Sequence, residues 1–424
     1  MAVNTADSKP PRGILIPSSV AIAVLALLAL SWGVAGWWCA HRTQKAHEPP
    51  ATRTSPDPFV GLERREGPWG ELRLLPLVIL PPPELMPPDW DEPKPVRWFF
   101  AGYSRASLSE WIRSAGLSAI ARAALGAASN WVENAEGVWV EPDVDGVLRM
   151  ESSDRLKLYR VLCTSEANGP HASPCTVLRR DLDRVFKTVG IQPEFAERIR
   201  RAGFYYGDRF FLPDVLALHR SLTQSSERFQ LVRFSFAAST YMAWLRVGPD
   251  ADVERIVNYW AGFGRRKDLR VLLESVRAAP GGGFVDLVHI LPALPRQWLY
   301  AYPRPDQMLD NVRRDCHWTS LNFFSTTPNN AFGDIEVART HVADNYYQIG
   351  AGPQFGDLVF LVRNKVAAIH SCVYLAGNLV FTKNGFTAQQ PWIIMDLNDV
   401  ISLYSILAPE GLEVQFWRNR IDEE

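Results

Sequence analysis

The chain has 424 residues, 45 Lys+Arg against 46 Asp+Glu, a formal net charge of -1 and 47% hydrophobic residues. That balance excludes a basic nucleic-acid coat and a charged disordered tail, and a single long apolar run excludes a polytopic membrane protein. Five Cys are too few for a disulfide scaffold, and the length allows two or three domains.

Residues 1–13 read as a short N-terminal tail. From Gly13 to Ala40 no side chain is charged, and residues 14–40 are long enough to cross the roughly 30 Å hydrocarbon layer as a helix. Lys9 and Arg12 precede the run, and His41, Arg42 and Lys45 follow it. Trp32, Trp37 and Trp38 sit where an interfacial aromatic belt would lie. A single-span transmembrane anchor is expected. The alternative is a signal peptide cleaved near Gly33-Val34-Ala35, which would leave a secreted or periplasmic protein. Both readings place the rest of the chain outside the cytoplasm. Cys39 reads as incidental to this segment.

Residues 41–98 read as a Pro-rich linker, since 13 of the 31 Pro fall within 49–95 and disfavour helix. Inside it the apolar run Leu72–Leu80 is expected to dock as an edge strand, because Pro76 cannot donate to a central ladder. Residues 99–299 read as a mainly helical domain of unassigned role. A capping-box pattern opens at Ser107-Leu-Ser-Glu110, and helices are expected at 176–190, 193–203, 212–222, 227–246, 251–262 and 266–278. Cys163 and Cys175 bracket a Gly/Pro/Ser-rich loop. Outside the cytoplasm a disulfide there would contribute about 3 kcal/mol, two free thiols being the alternative. His171 lies between them, but two Cys and one His leave a zinc site short of a ligand. No metal and no cofactor is expected.

Residues 300–424 change character. A helix near Cys316 precedes strand-like runs at Leu358–Val362, Ala367–Tyr374 and Leu379–Thr382, separated by Gly356-Asp357, Arg363-Asn364-Lys365 and Gly377-Asn378. A further strand, Pro391–Met395, leads into a helix capped at Asp396, and Gln415–Arg420 reads as a closing strand. This is an α+β pattern. Cys316 follows Asp315 at the start of its helix, where the macrodipole and free N–H groups favour a thiolate. His370 lies inside an apolar strand, where a polar ring needs a partner or a role. Alternation places His370, Cys372 and Tyr374 on one face and Ile369, Ser371 and Val373 on the other. His317 and His341 are other candidates for a base, but His317 reads as solvent-side or a substrate contact and His341 as surface. Tyr302, Trp318 and Tyr374 are candidates for lining a groove.

The ordered set Asp315-Cys316, Gly356-Asp357-Leu-Val-Phe360, His370 to Tyr374 and Gly377-Asn378 resembles the NlpC/P60 family of papain-like cysteine peptidases and amidases. The resemblance covers residues 300–408. It implies a helix packed on an antiparallel sheet, Cys316 as nucleophile, His370 as base and the Cys316 N–H as an oxyanion donor. It further implies a third polar residue on the following strand that orients the imidazole. Counting two beyond Phe381 reaches Lys383, which has no lone pair to offer an imidazole N–H. Asn384 then takes the part through a register shift, or a backbone carbonyl does. The Lys383 charge would also lower the pKa of Cys316. His317 stands where the family has a small residue, and Cys372 where it often has Gly. Cys372 thus suggests a redox disulfide with Cys316, against the blander reading of a small core thiol.

The functional expectation is a membrane-anchored extracytoplasmic thiol hydrolase, held through residues 14–40. Its implied substrate is a peptide or amide bond of peptidoglycan or another cell-envelope component, and no nucleic acid is expected. The alternatives are an inactive NlpC/P60-like binding protein and an acyltransferase or transamidase on the same scaffold.

Overall fold

The computed structural model describes residues 59–262, 264–304, 307, 312–385, 387–408 and 411–420. The expected transmembrane helix and Cys39 lie outside the described residues. Among the described residues no helix is long and apolar enough to cross a membrane.

The stretch expected as linker contributes two strands. β1 (Glu63–Gly67) and β2 (Gly70–Ile79) form a hairpin around Pro68-Trp69. β2 is internal rather than an edge, lying between β1 and a later strand. Pro76 is tolerated because β1 pairs only with Gly70–Leu74, so from Leu75 onward β2 has a neighbour on one side only. The missing N–H is therefore on the open side.

The region expected as mainly helical holds small antiparallel sheets as well. β3 (Trp98–Ala101), β4 (Val132–Glu133) and β5 (Gly137–Val140) form one, in the order β3-β5-β4. β6 (Cys175–Leu178), β7 (Phe204–Tyr206) and β8 (Arg209–Leu212) form another, in the order β6-β8-β7. Helices fill the rest, among them Leu182–Val189, Pro193–Ala202, Val253–Trp260 and Arg266–Arg277. The capping box falls three residues before the expected one: Ser104 caps Arg105–Ser114, with Ser107 returning the bond. The helix expected over 227–246 stops early. Ser225–Ser235 is helical, and β9 (Ala238–Val247) then pairs with β2 along nine residues and with β10 (Gly283–Asp286). The resulting sheet runs β1-β2-β9-β10.

The C-terminal sheet has six antiparallel strands: β11 (Tyr346–Ile349), β12 (Leu358–Arg363), β13 (Ala367–Ala376), β14 (Leu379–Lys383), β15 (Trp392–Asp396) and β16 (Leu412–Asn419). Their order is β11-β16-β12-β13-β14-β15. Both faces are covered, which is why its central strands are apolar at nearly every position. One face (Phe360, Val373, Phe381, Ile394) shares a core with Leu72, Leu245, Trp260 and the Cys316–Leu321 helix. The other (Val359, Leu361, Cys372, Val380, Met395) packs against the Leu397–Ser405 helix. The two parts of the chain are tied by Tyr302 Oη donating to Phe236 O at 3.0 Å and by Arg65 paired with Asp396 at 2.8 Å. A third tie is Thr240 Oγ1, which both donates to Ile394 O (3.0 Å) and accepts from Ile394 N–H (3.1 Å).

The Gly-Asp pair before β12 has a structural reason. Gly356 holds φ +96°, and a Cβ there would meet the Phe324 ring at 2.5 Å. Asp357, 3% exposed, accepts from Arg418 of β16 at 2.9 and 2.7 Å.

The four described cysteines are free thiols, so the expected Cys163–Cys175 disulfide is not present, and Cys372 is a core thiol rather than a partner of Cys316. Cys163 Sγ lies 3.7 Å from Arg160 O, at the end of the Ser152–Leu162 helix, and Cys175 Sγ lies 3.9 Å from Phe234 O. His171, between them in sequence, instead faces Asp214 at 3.3 Å. Among the described residues no group of three or more His, Cys, Asp or Glu could hold a metal ion.

Candidate active site

Asp315 starts the Cys316 helix by accepting from the N–H groups of His317 (2.9 Å) and Trp318 (3.0 Å). Two contacts hold this short helix in place, one to the Ala293–Trp298 helix and one to the sheet. Trp318 stacks on Trp298 with centroids 5.0 Å apart, and Trp392 Nε1 donates to Thr319 Oγ1 at 3.0 Å. It arrives where the sheet forks. β13 and β14 pair only from Val373/Phe381 to Ala376/Leu379, while residues 367–372 pair with β12 and Thr382 and Lys383 with β15. Cys316 comes to this fork together with His370 of β13 and Thr382 of β14.

His370 is fully buried. Its ring stacks on Tyr404 with centroids 4.3 Å apart, and its Nε2 lies 3.0 Å from Thr382 Oγ1. The bond directions follow from the next links. Asn384 Nδ2 points to the Met395 sulfur at 3.0 Å, which turns Oδ1 toward Thr382, 3.2 Å away. Oδ1 can only accept, so the single Thr382 proton goes to it. Thr382 Oγ1 must then accept from His370 Nε2–H, and the lone pair of the neutral ring falls on Nδ1. That assignment comes from the hydrogen-bond network. Nδ1 is buried without a conventional partner and is the nitrogen left to act on the Cys316 sulfur.

The orienting residue is thus Thr382, backed by Asn384, and not Lys383. Val380, Thr382 and Asn384 share the His370 face of β14, while Lys383 points to the other. There Lys383 Nζ donates to Gly385 O (2.9 Å) and Thr387 O (3.1 Å) and sits 5.6 Å from the Trp392 ring centroid. The expected alternation of β13 also changes in one place. A bulge between the Leu361–His370 and Val362–Ala368 pairs brings Ile369 onto the Cys372 side.

His317 is not turned away from the nucleophile. Its ring lies close enough to Cys316 for their charges to interact, its Nδ1 lies 2.9 Å from Ser371 Oγ, and it stacks on Phe360 at 6.2 Å. Ser371 Oγ donates to Ser320 Oγ (3.2 Å), which donates to Cys316 O (2.8 Å). His341 accepts from Asn345 within its own helix and packs on Phe332, away from this cluster.

The electrostatics follow from this crowding. Burial alone pushes the Cys316 thiol up, but the charges of His370 and His317 beside it outweigh that and pull the thiol down to about 5. Burial would lower His317, yet the Cys316 thiolate and then Asp315 raise it above its ordinary value. Desolvation pulls Lys383 down to about 7 against the Cys316 and Asp315 charges. Burial pushes Cys372 far above the ordinary thiol range, as expected of a core thiol. A low-pKa thiolate beside an imidazole held in one tautomer is the arrangement that nucleophilic acyl transfer requires.

A cavity of about 550 Å³ lies behind the imidazole. Its wall includes Asn384 and Tyr404, the two residues backing His370, with Arg209, Tyr159, His219 and Cys175 farther along.

Sequence reasoning brought out Cys316 and His370 but missed Thr382, Ser371, Tyr404 and the role of His317. Period-two alternation from Val380 would have found Thr382; nothing local points to Tyr404 or Ser371. Compared with known proteins, the chain matches no family model, no curated protein and no solved structure.

Proposed function

We propose that this chain is a thiol hydrolase that cleaves a peptide or amide bond through Cys316 and His370. The observation that carries the reading is the Asn384–Thr382–His370 relay, which presents the Nδ1 lone pair to a thiol already poised to ionise. The Cys316 thiolate attacks the carbonyl carbon, and the Cys316 N–H, which Asp315 does not engage, is the available oxyanion donor. His370 protonates the leaving amine, and water resolves the thioester. A helix capped at Asp315 and laid on an antiparallel sheet agrees with the NlpC/P60-like motif order. We extend the proposal on that basis to cell-envelope substrates and, with residues 14–40 as an anchor, to an extracytoplasmic site.

The inactive-protein reading rests on Lys383 in the orienter's place and on bulky His317-Trp318 beside Cys316. Thr382 rather than Lys383 meets the imidazole, and Trp318 stacks on Trp298, which weighs against it. Transfer to an acceptor other than water shares every step up to the thioester. The direct test is Cys316→Ala. It should abolish hydrolysis of peptidoglycan fragments and labelling by an activity-based thiol probe without unfolding the protein. Undiminished hydrolysis in that variant would sink the proposal.

A further inference from the structure

We propose that His317 is a second catalytic base, which activates the nucleophile that resolves the acyl-enzyme, while His370 serves the acylation half. The inference rests on the thiol-hydrolase reading. It starts from proton counting in the serine chain beneath His317. Ser320 has one proton, committed to Cys316 O, and Ser371 has one, committed to Ser320 Oγ. Ser371 Oγ can therefore only accept at 2.9 Å from His317, so His317 carries its proton on Nδ1 and its lone pair on Nε2. Two imidazoles, each locked by a hydroxyl acceptor on one nitrogen, thus offer lone pairs at a thiol that has one proton to give.

They differ in access. His370 is fully buried, stacked on Tyr404 and bonded at Nε2, so its free nitrogen is confined to the thiol. His317 is less deeply enclosed, half-buried at the edge of the same site. In the acylation half His370 takes the proton that Cys316 gives up. The thiolate attacks the acyl carbon, the bond from that carbon to nitrogen breaks, and His370 passes its proton to the departing amine. The thioester then stands beside two neutral imidazoles. Water attacks its carbonyl, its proton goes to His317 Nε2, the C–S bond breaks, the electron pair returns to sulfur and the acid leaves. The proton on His317 then returns to the Cys316–His370 pair, and the cycle closes. An acceptor hydroxyl or amine would be activated by the same nitrogen.

The test uses the full chain and 4-nitrophenyl acetate, whose leaving group needs no proton, so acylation and deacylation separate as burst and steady state. His317→Asn keeps an N–H for Ser371 and deletes Nε2. At a pH above the Cys316 pKa, which loss of the His317 charge raises in part, it should give a full burst, a steady-state rate lowered on the order of 10²-fold, and recovery with added imidazole. Ser371→Ala, which frees the tautomer without touching the ring, should slow the same phase less. A His317→Asn steady state equal to wild type overturns the inference. Loss of the burst with Cys316 alkylation shifted to the ordinary thiol range overturns it too, because His317 would then be holding the thiolate. If wild-type Cys316 itself alkylates like a free thiol, the thiol-hydrolase reading fails first and takes this inference with it.

Discussion

Thr382→Val is the sharpest probe of the site, because it removes one hydroxyl from a fully buried position and little volume. In the native site that hydroxyl accepts from His370 Nε2–H at 3.0 Å and passes the polarity on to Asn384. Valine leaves the buried N–H without an acceptor, at a cost of about 1–3 kcal/mol. The cost falls mainly on the imidazolium, whose N–H is the stronger donor. It is therefore subtracted from the stability of the thiolate–imidazolium pair. At about 1.4 kcal/mol per unit, the Cys316 pKa should rise by roughly one to two units from its value of about 5. The assay is the rate of iodoacetamide alkylation of Cys316 as a function of pH, with Thr382→Ser as the control that keeps the hydroxyl. A Thr382→Val profile that superimposes on wild type would refute the relay from Asn384 to His370.

In the wild type, alkylation should be nearly flat between pH 6 and 8, because Cys316 is already ionised there; a rise through pH 8 would contradict the coupling to His370 and His317. Cys372, buried and with its thiol pushed far up, should remain unlabelled until the protein unfolds. Lys383 titrates near 7 when folded and near 10.4 when unfolded. Between those values the unfolded chain binds more protons, so this residue makes stability rise with pH across that window. Lys383→Met should remove that slope, and urea midpoints at pH 6.5 and 9.5 that change in parallel for both proteins would dismiss the idea. Gly356→Ala should cost roughly 1–3 kcal/mol, since it forces a side chain into φ +96° and against Phe324; calorimetry showing no loss would mean that the turn relaxes.

The C-terminal half was legible where local chemistry decides the outcome. Turn residues at Gly356-Asp357 and Gly377-Asn378 delimit β12, β13 and β14, and Asp315 and Asp396 cap their helices as read. What failed depends on distant partners. β9 continues a helical run with no Gly or Pro before it, and its reward for being extended lies far back in the chain at β2. The same pairing turns part of a Pro-rich stretch into sheet. Within the site, Cys316 and His370 carry their chemistry in their own side chains. Thr382 does not: a threonine in an apolar strand is an ordinary β residue until the ring beside it is seen. Counting to Lys383 rather than Thr382 chose the wrong face by one residue, which in a strand reverses the environment completely.

Thr240 has a consequence beyond joining two parts of the chain. β15 is the last strand of its sheet, and the backbone groups of Trp392 and Ile394 on the side away from β14 would form a template for a foreign strand. Tyr300 N–H and Ala301 O occupy those of Trp392 at 2.8 and 3.1 Å, and the Thr240 hydroxyl occupies both of those of Ile394. At these two residues the strand has no free ladder left to offer. The sheet that carries His370 is thereby protected against edge-to-edge self-association at this border, and a single hydroxyl supplies half of the protection.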